Sequence, residues 1–130
     1  MIYLDTSVVL AYLLAEDRRP PDTLWSETLV SSRLLEYEVW TRIHSLDIAK
    51  SHGDAAEQAI ARINFLELAT PVLARALEPF PVKVRTLDAL HLASAAFLRD
   101  HGHVVEVLTY DDRMLVAAKR LKLPLSLLCE

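Results

Sequence analysis

Short apolar runs alternate along this chain with segments whose apolar residues recur at helical spacing, and that alternation is its strongest constraint. Residues 1–4 are apolar and end at Asp5, where Thr6 or Ser7 can cap a helix carrying Val8, Val9, Tyr12 and Leu13. After a charged, proline-marked break at 18–21, Leu24 and Trp25 suggest a short helix and 28–31 a second strand. Leu35, Val39, Ile43 and Leu46 give a helix over 33–47, and 54–66 repeats the period after a break at His52-Gly53. The pattern continues as a strand at 66–69 closed by Pro71, a short helix at 72–77, and a loop marked by Pro79 and Pro81. A helix over 86–101 ends at Gly102, a β-branched strand covers 104–109, a helix covers 111–121, and a last strand follows Pro124 at 125–128.

Strands separated by helices call for an α/β fold, with a mostly parallel sheet covered on both faces and right-handed crossovers. Ligands of such sheets bind beyond the carboxyl ends of the strands. The residues to weigh are therefore those at strand ends.

At 130 residues the chain reads as a single domain, 1–130, large enough for a core without staples. A hydrophobic content of 52% excludes the signature of disorder. Gly53 and Gly102, the only glycines, cannot build a G-x-G-x-x-G fingerprint or a P-loop. The single cysteine, Cys129, excludes an internal disulfide and a cysteine zinc cage, and fits a reducing compartment. No stretch reaches the ~18 uncharged apolar residues of a membrane span. The expectation is a soluble, cytoplasmic protein with no membrane partner. A net charge of −4, taken alone, argues against nucleic acid.

Four acids stand in unusual company. Asp5 is the only charged residue among the first fifteen, at a strand end; its plain reading is a helix cap, which Thr6 and Ser7 supply more cheaply. Asp88 and His91 are the only ionisable groups between Arg85 and Arg99, on a helix apolar around its whole circumference and therefore buried. A first-turn acid gains roughly 0.3–1 kcal/mol from the helix dipole, less than the several kcal/mol that burying it unpaired costs. Of the pair after the fourth strand, Asp111 is expected to face inward and Asp112 outward, although one of them could cap the next helix. Glu38 lies a step beyond the apolar stripe of its helix, where Arg42 could pair with it; Glu36 points further away. His91 reads as a core histidine hydrogen-bonded within its buried helix rather than as a metal ligand.

If the first strand neighbours the one before Asp111, these acids converge on one mouth. Two carboxylates ~5 Å apart repel by about 3 kcal/mol at an effective dielectric of 20. An oxygen-only cluster with no cysteine or histidine motif suits Mg²⁺ or Mn²⁺, and carboxylate-held Mg²⁺ serves phosphate chemistry. With those four of the 18 acids set aside, the remainder only balance the 14 Lys and Arg. Lys83, Arg85, Arg113, Lys119, Arg120 and Lys122 could then contact a nucleic-acid backbone, or simply form solvated faces. Two other readings stay open: a phosphatase with Asp5 as nucleophile, though Ser7 stands where a second acid is usual, and a catalytically silent binding module whose acids pair with Arg85 or Arg42.

The chain resembles the PIN-domain ribonucleases, specifically the VapC-type toxins of bacterial toxin–antitoxin pairs. The resemblance rests on Y-L-D-T-S at 3–7, S-S-R-L-L-E-Y-E-V at 31–39, T-L-D-A-L-H-L-A at 86–93 and L-T-Y-D-D-R at 108–113, in that order and spacing. It implies a three-layer α/β/α fold with a five-stranded sheet of order 3-2-1-4-5. It also implies Asp5 and Asp88 as principal Mg²⁺ ligands, Glu38 and Asp111 completing the acidic site, and Ser32, Thr6 and Thr109 as supports. The activity implied is endoribonuclease cleavage by a metal-activated water, leaving a 5′-phosphate and a 3′-hydroxyl. The partners implied are RNA, a cognate VapB-type antitoxin whose tail fills the groove, and a second copy in a homodimer. The arginine usual three residues after the glutamate stands four after it, at Arg42, and Lys122-Leu123-Pro124 replaces a glycine common near the last strand.

Overall fold

Strand β1 (Ile2–Leu4) lies at the centre of a parallel sheet, between β2 (Leu29–Ser32) and β4 (Glu106–Leu108), with β3 (Asn64–Leu66) outside β2. Every residue of β1 and β2 is buried, as expected of parallel strands covered on both faces. The computed structural model describes residues 1–129. Around the sheet run α1 (Thr6–Leu13), α2 (Leu34–Ser45), α3 (Ala49–Ala61), α4 (Thr70–Ala76), α5 (Thr86–Asp100) and α6 (Asp112–Arg120). Two short 3₁₀ turns cover Asp22–Ser26 and Leu127–Cys129.

Side-chain alternation along β1 builds the three layers. Ile2 and Leu4 enter one core with Val8, Leu35, Ile43 and Ile60 of α1–α3, whereas Tyr3 enters the other with Leu92, Leu98 and Met114 of α5 and α6. Among the described residues no helix is long and apolar enough to cross a membrane.

Three boundaries differ from the sequence reading. The sheet has four strands rather than five: beside β4, Leu125 makes only an isolated parallel bridge with Val107. Two bonds hold it, Val107 N–H to the Pro124 carbonyl (2.8 Å) and Ser126 N–H to the Val107 carbonyl (2.9 Å). The Ser126 hydroxyl then accepts from the Leu128 amide at 3.2 Å, turning the chain away. The order 3-2-1-4 is as expected, with the bridge in the fifth place.

Gly53 does not break a helix; it lies inside α3, and a Cβ built there would stand 3.5 Å from the Trp40 ring. The turn falls earlier, at Asp47, whose φ is 54°. The third strand is β3 at Asn64–Leu66 rather than 66–69, with the Asn64 side chain donating through Nδ2 to the Leu29 carbonyl at 3.0 Å. Pro71 accordingly opens α4 in its first turn, where its missing N–H costs nothing. Gly102 ends α5 as expected, at φ 88°.

Candidate active site

The carboxyl ends of β1 and β4 meet the amino ends of α1, α5 and α6. Asp5 sits at that junction, 7% exposed, with its amide donating to the Leu108 carbonyl of β4 at 3.0 Å. It occupies the position that caps α1, yet its carboxylate makes no capping bond. Instead Oδ2 accepts from the hydroxyls of Ser7 (2.6 Å) and Thr109 (2.8 Å). Those hydroxyls are fixed in turn, Ser7 Oγ accepting from the Tyr110 amide and Thr109 Oγ1 from the Asp111 amide, both at 3.0 Å. Ser7, read from sequence only as a cap, is thus a support for Asp5. Its place two residues beyond the aspartate, at the start of a helix, was the available signal.

Glu38 projects from α2 toward α1 and α5. Its Oε1 accepts from Thr6 Oγ1 at 2.8 Å and lies 2.6 Å from His91 Nε2. Thr6 therefore supports Glu38, and Thr109 supports Asp5. His91 is a core histidine, 1% exposed, but its bonds leave its own helix: Nδ1 lies 2.7 Å from the Tyr3 hydroxyl on β1. Burial pushes the Tyr3 hydroxyl far above its ordinary pKa, so it keeps its proton. That oxygen also accepts from the Ser32 amide at 3.2 Å, so Tyr3 ties the imidazole to β2 as well as to β1. Ser32 lies beneath the site, its own hydroxyl accepting from the Leu34 amide at 3.1 Å where α2 begins.

Asp88 stands in the first turn of α5. Asp111 caps α6, Oδ1 accepting from the amides of Arg113 (2.9 Å) and Met114 (3.4 Å), while Asp112 is exposed. Asp5, Glu38, Asp88 and Asp111 all line one cleft of about 640 Å³. Burial raises the Asp88 carboxyl above its ordinary pKa, and the negative charges of Asp111 and Asp5 raise it further, against His91 and Arg85. Among the described residues no lysine or arginine forms an ion pair with any of the four; Glu38 pairs with His91 rather than with Arg42, the partner its spacing allowed. Arg42 lines the cleft with Thr41 and with Tyr37, which is 64% exposed. As the side chains stand, no three histidine, cysteine or acidic groups among the described residues could hold a metal ion. The donor set facing the cleft is nonetheless carboxylate oxygen, the chemistry a hard divalent cation takes.

The model of the PIN domain family matches residues 2–120. The chain is 37% identical over 124 residues to Ribonuclease VapC46 of Mycobacterium tuberculosis, covering 92% of each. It is 29% identical over 125 residues to Ribonuclease VapC47 of the same species, covering 88% of each. Ribonuclease VapC35, also from that species, is 27% identical over 128 residues, 95% of this chain and 93% of that protein. No solved structure gives a significant match.

Proposed function

Because this chain belongs to the PIN-domain family, we propose that its carboxylate cleft makes it a metal-dependent endoribonuclease toxin of VapC type, acting in the cytoplasm as one domain over 1–130. A cognate VapB-type antitoxin holds it in check, and it works as a homodimer. The observation that carries this reading is the gathering of four acids from distant parts of the chain on one cleft, with no lysine or arginine among the described residues in an ion pair with any of them.

Asp5 and Asp88 are the principal ligands of Mg²⁺ or Mn²⁺, with Glu38 and Asp111 completing the set. Holding the ion requires these side chains to rotate inward from where they stand. When bound, such an ion polarises a phosphoryl oxygen and makes a water nucleophilic near neutral pH. The chain's own part is to fix the oxygens that face it. Ser7 and Thr109 engage Oδ2 of Asp5, so Oδ1 is the oxygen presented to a ligand. Thr6 and His91 hold Oε1 of Glu38 in the same manner. Ser32 supports the site from below through Tyr3.

The test is incubation of the purified protein with single-stranded RNA, with Mg²⁺ and with excess chelator. Cleavage that leaves 5′-phosphate ends, stops with chelator and is absent from Asp5→Asn is expected. Cleavage indifferent to both would overturn the reading.

A further inference from the structure

Beside the acidic cleft, and sharing Asp88 with it, lies a second cavity of about 300 Å³ walled by Lys83, Arg85 and Arg113, with Val84, Met114 and Ala117 as its apolar floor. The three cations come from two elements far apart in sequence, the segment leading into α5 and the first turn of α6. Among the described residues none of the three forms an ion pair with a carboxylate, although the chain carries more acids than bases. Elsewhere three half-buried arginines do find carboxylates: Arg33 with Glu67 at 2.7 Å, Arg75 with Glu78 at 3.6 Å and Arg99 with Asp100 at 3.1 Å. Three cations gathered around one small cavity, with only Asp88 to offset them, offer the donors that an oxyanion takes.

We propose that this cavity binds a backbone phosphate of the RNA strand adjacent to the phosphate held at the acidic cleft. The inference rests on the ribonuclease reading and adds the group that positions the substrate. Sharing Asp88 makes the two cavities contiguous, so one strand can lie across both. A polyanionic strand approaching four carboxylates meets repulsion, and the cations beside Asp88 offset it at the point of entry. An isolated anionic side chain of a protein partner would gain the same cations without needing the acidic neighbour; a nucleic-acid strand uses both. The cavity contacts phosphate rather than base, so it sets register and orientation without sequence preference.

The test measures binding of a single-stranded RNA oligonucleotide in chelator, where it is not cut, across a series of salt concentrations. The triple variant Lys83→Gln, Arg85→Gln, Arg113→Gln is compared with wild type and with a charge-matched control, Arg19→Gln, Lys50→Gln, Arg62→Gln. For single strands each phosphate contact contributes about 0.7 to the slope of log K against log salt. The cavity variant is expected to lose at least one such contact and to bind at least tenfold more weakly, with the control unchanged. A neutral methylphosphonate placed next to the scissile position should weaken wild type and leave the cavity variant unaffected. A cavity variant with the wild-type slope and affinity would overturn the proposal while leaving the ribonuclease reading intact. Loss of affinity for a polyglutamate peptide with RNA binding unchanged would overturn it in favour of a protein partner. Failure of wild type to bind RNA at all would sink the ribonuclease reading and the proposal together.

Discussion

His91 Nε2 stands 2.6 Å from Glu38 Oε1, joining a fully buried imidazole of α5 to a half-buried carboxylate of α2 across the sheet's edge. Behind it the Tyr3 hydroxyl closes the relay from β1 at 2.7 Å. His91→Ala removes this anchor, leaves the Tyr3 hydroxyl and the Glu38 carboxylate each one partner short and opens a cavity. A loss of about 2–4 kcal/mol is expected in urea unfolding. In a double-mutant cycle with Glu38→Ala, a coupling of roughly 1–3 kcal/mol is expected, and simple additivity would contradict the relay.

Asp88→Asn should stabilise the metal-free protein while abolishing cleavage. Its carboxyl is raised in the folded state by burial and by Asp111 and Asp5, so the folded chain binds the proton more tightly than the unfolded one. Stability from this group is therefore full below the unfolded pKa of about 4 and declines as pH rises through the folded value. Thermal melts in chelator should show the variant above wild type at pH 7, with the gap closing toward pH 4. A gap that widens on acidification has the wrong sign.

Asp111 holds a cap and faces the cleft, and the two roles separate by substitution. Asn caps a helix as well as Asp does, so Asp111→Asn should keep its stability and lose cleavage. Asp111→Ala should lose cleavage and about 1 kcal/mol as well. Asp112→Ala, at an exposed position, should change neither.

Asp5, Asp88 and Asp111 were legible as candidates because apolar runs end there and charge is scarce, whereas the order of strands that brings Asp5 and Asp111 together came from the family resemblance. Long-range partners were not legible. Nothing in the spacing of α2 tells that Glu38 is held by His91 rather than by Arg42, since that choice is made by packing of α5 against β1. The hydroxyl of Ser7 was read as a cap, and its bond to Asp5 is local, but the second bond to that carboxylate comes from Thr109, just beyond β4 and far off in sequence. The fifth strand failed for a similar reason: its apolar residues are present, but only Leu125 pairs before Ser126 turns the backbone.

Gly53 illustrates a misleading local signal. Read as punctuation, it lies inside α3, and a methyl group there would meet the Trp40 ring at 3.5 Å, an ordinary contact. Gly53→Ala should therefore stabilise the protein by about 0.5–1 kcal/mol through helix propensity. Destabilisation in urea unfolding would show that Trp40 cannot accommodate it.

The function proposed for the cleft requires Asp5, Glu38, Asp88 and Asp111 to act as one cation site. Isothermal titration of Mg²⁺ or Mn²⁺ into the wild-type protein, Asp5→Asn and Asp88→Asn addresses this directly. Saturable uptake by wild type that disappears in both variants is the predicted result. Equal heats in all three proteins, or none in a wild type that still cuts RNA, would contradict it.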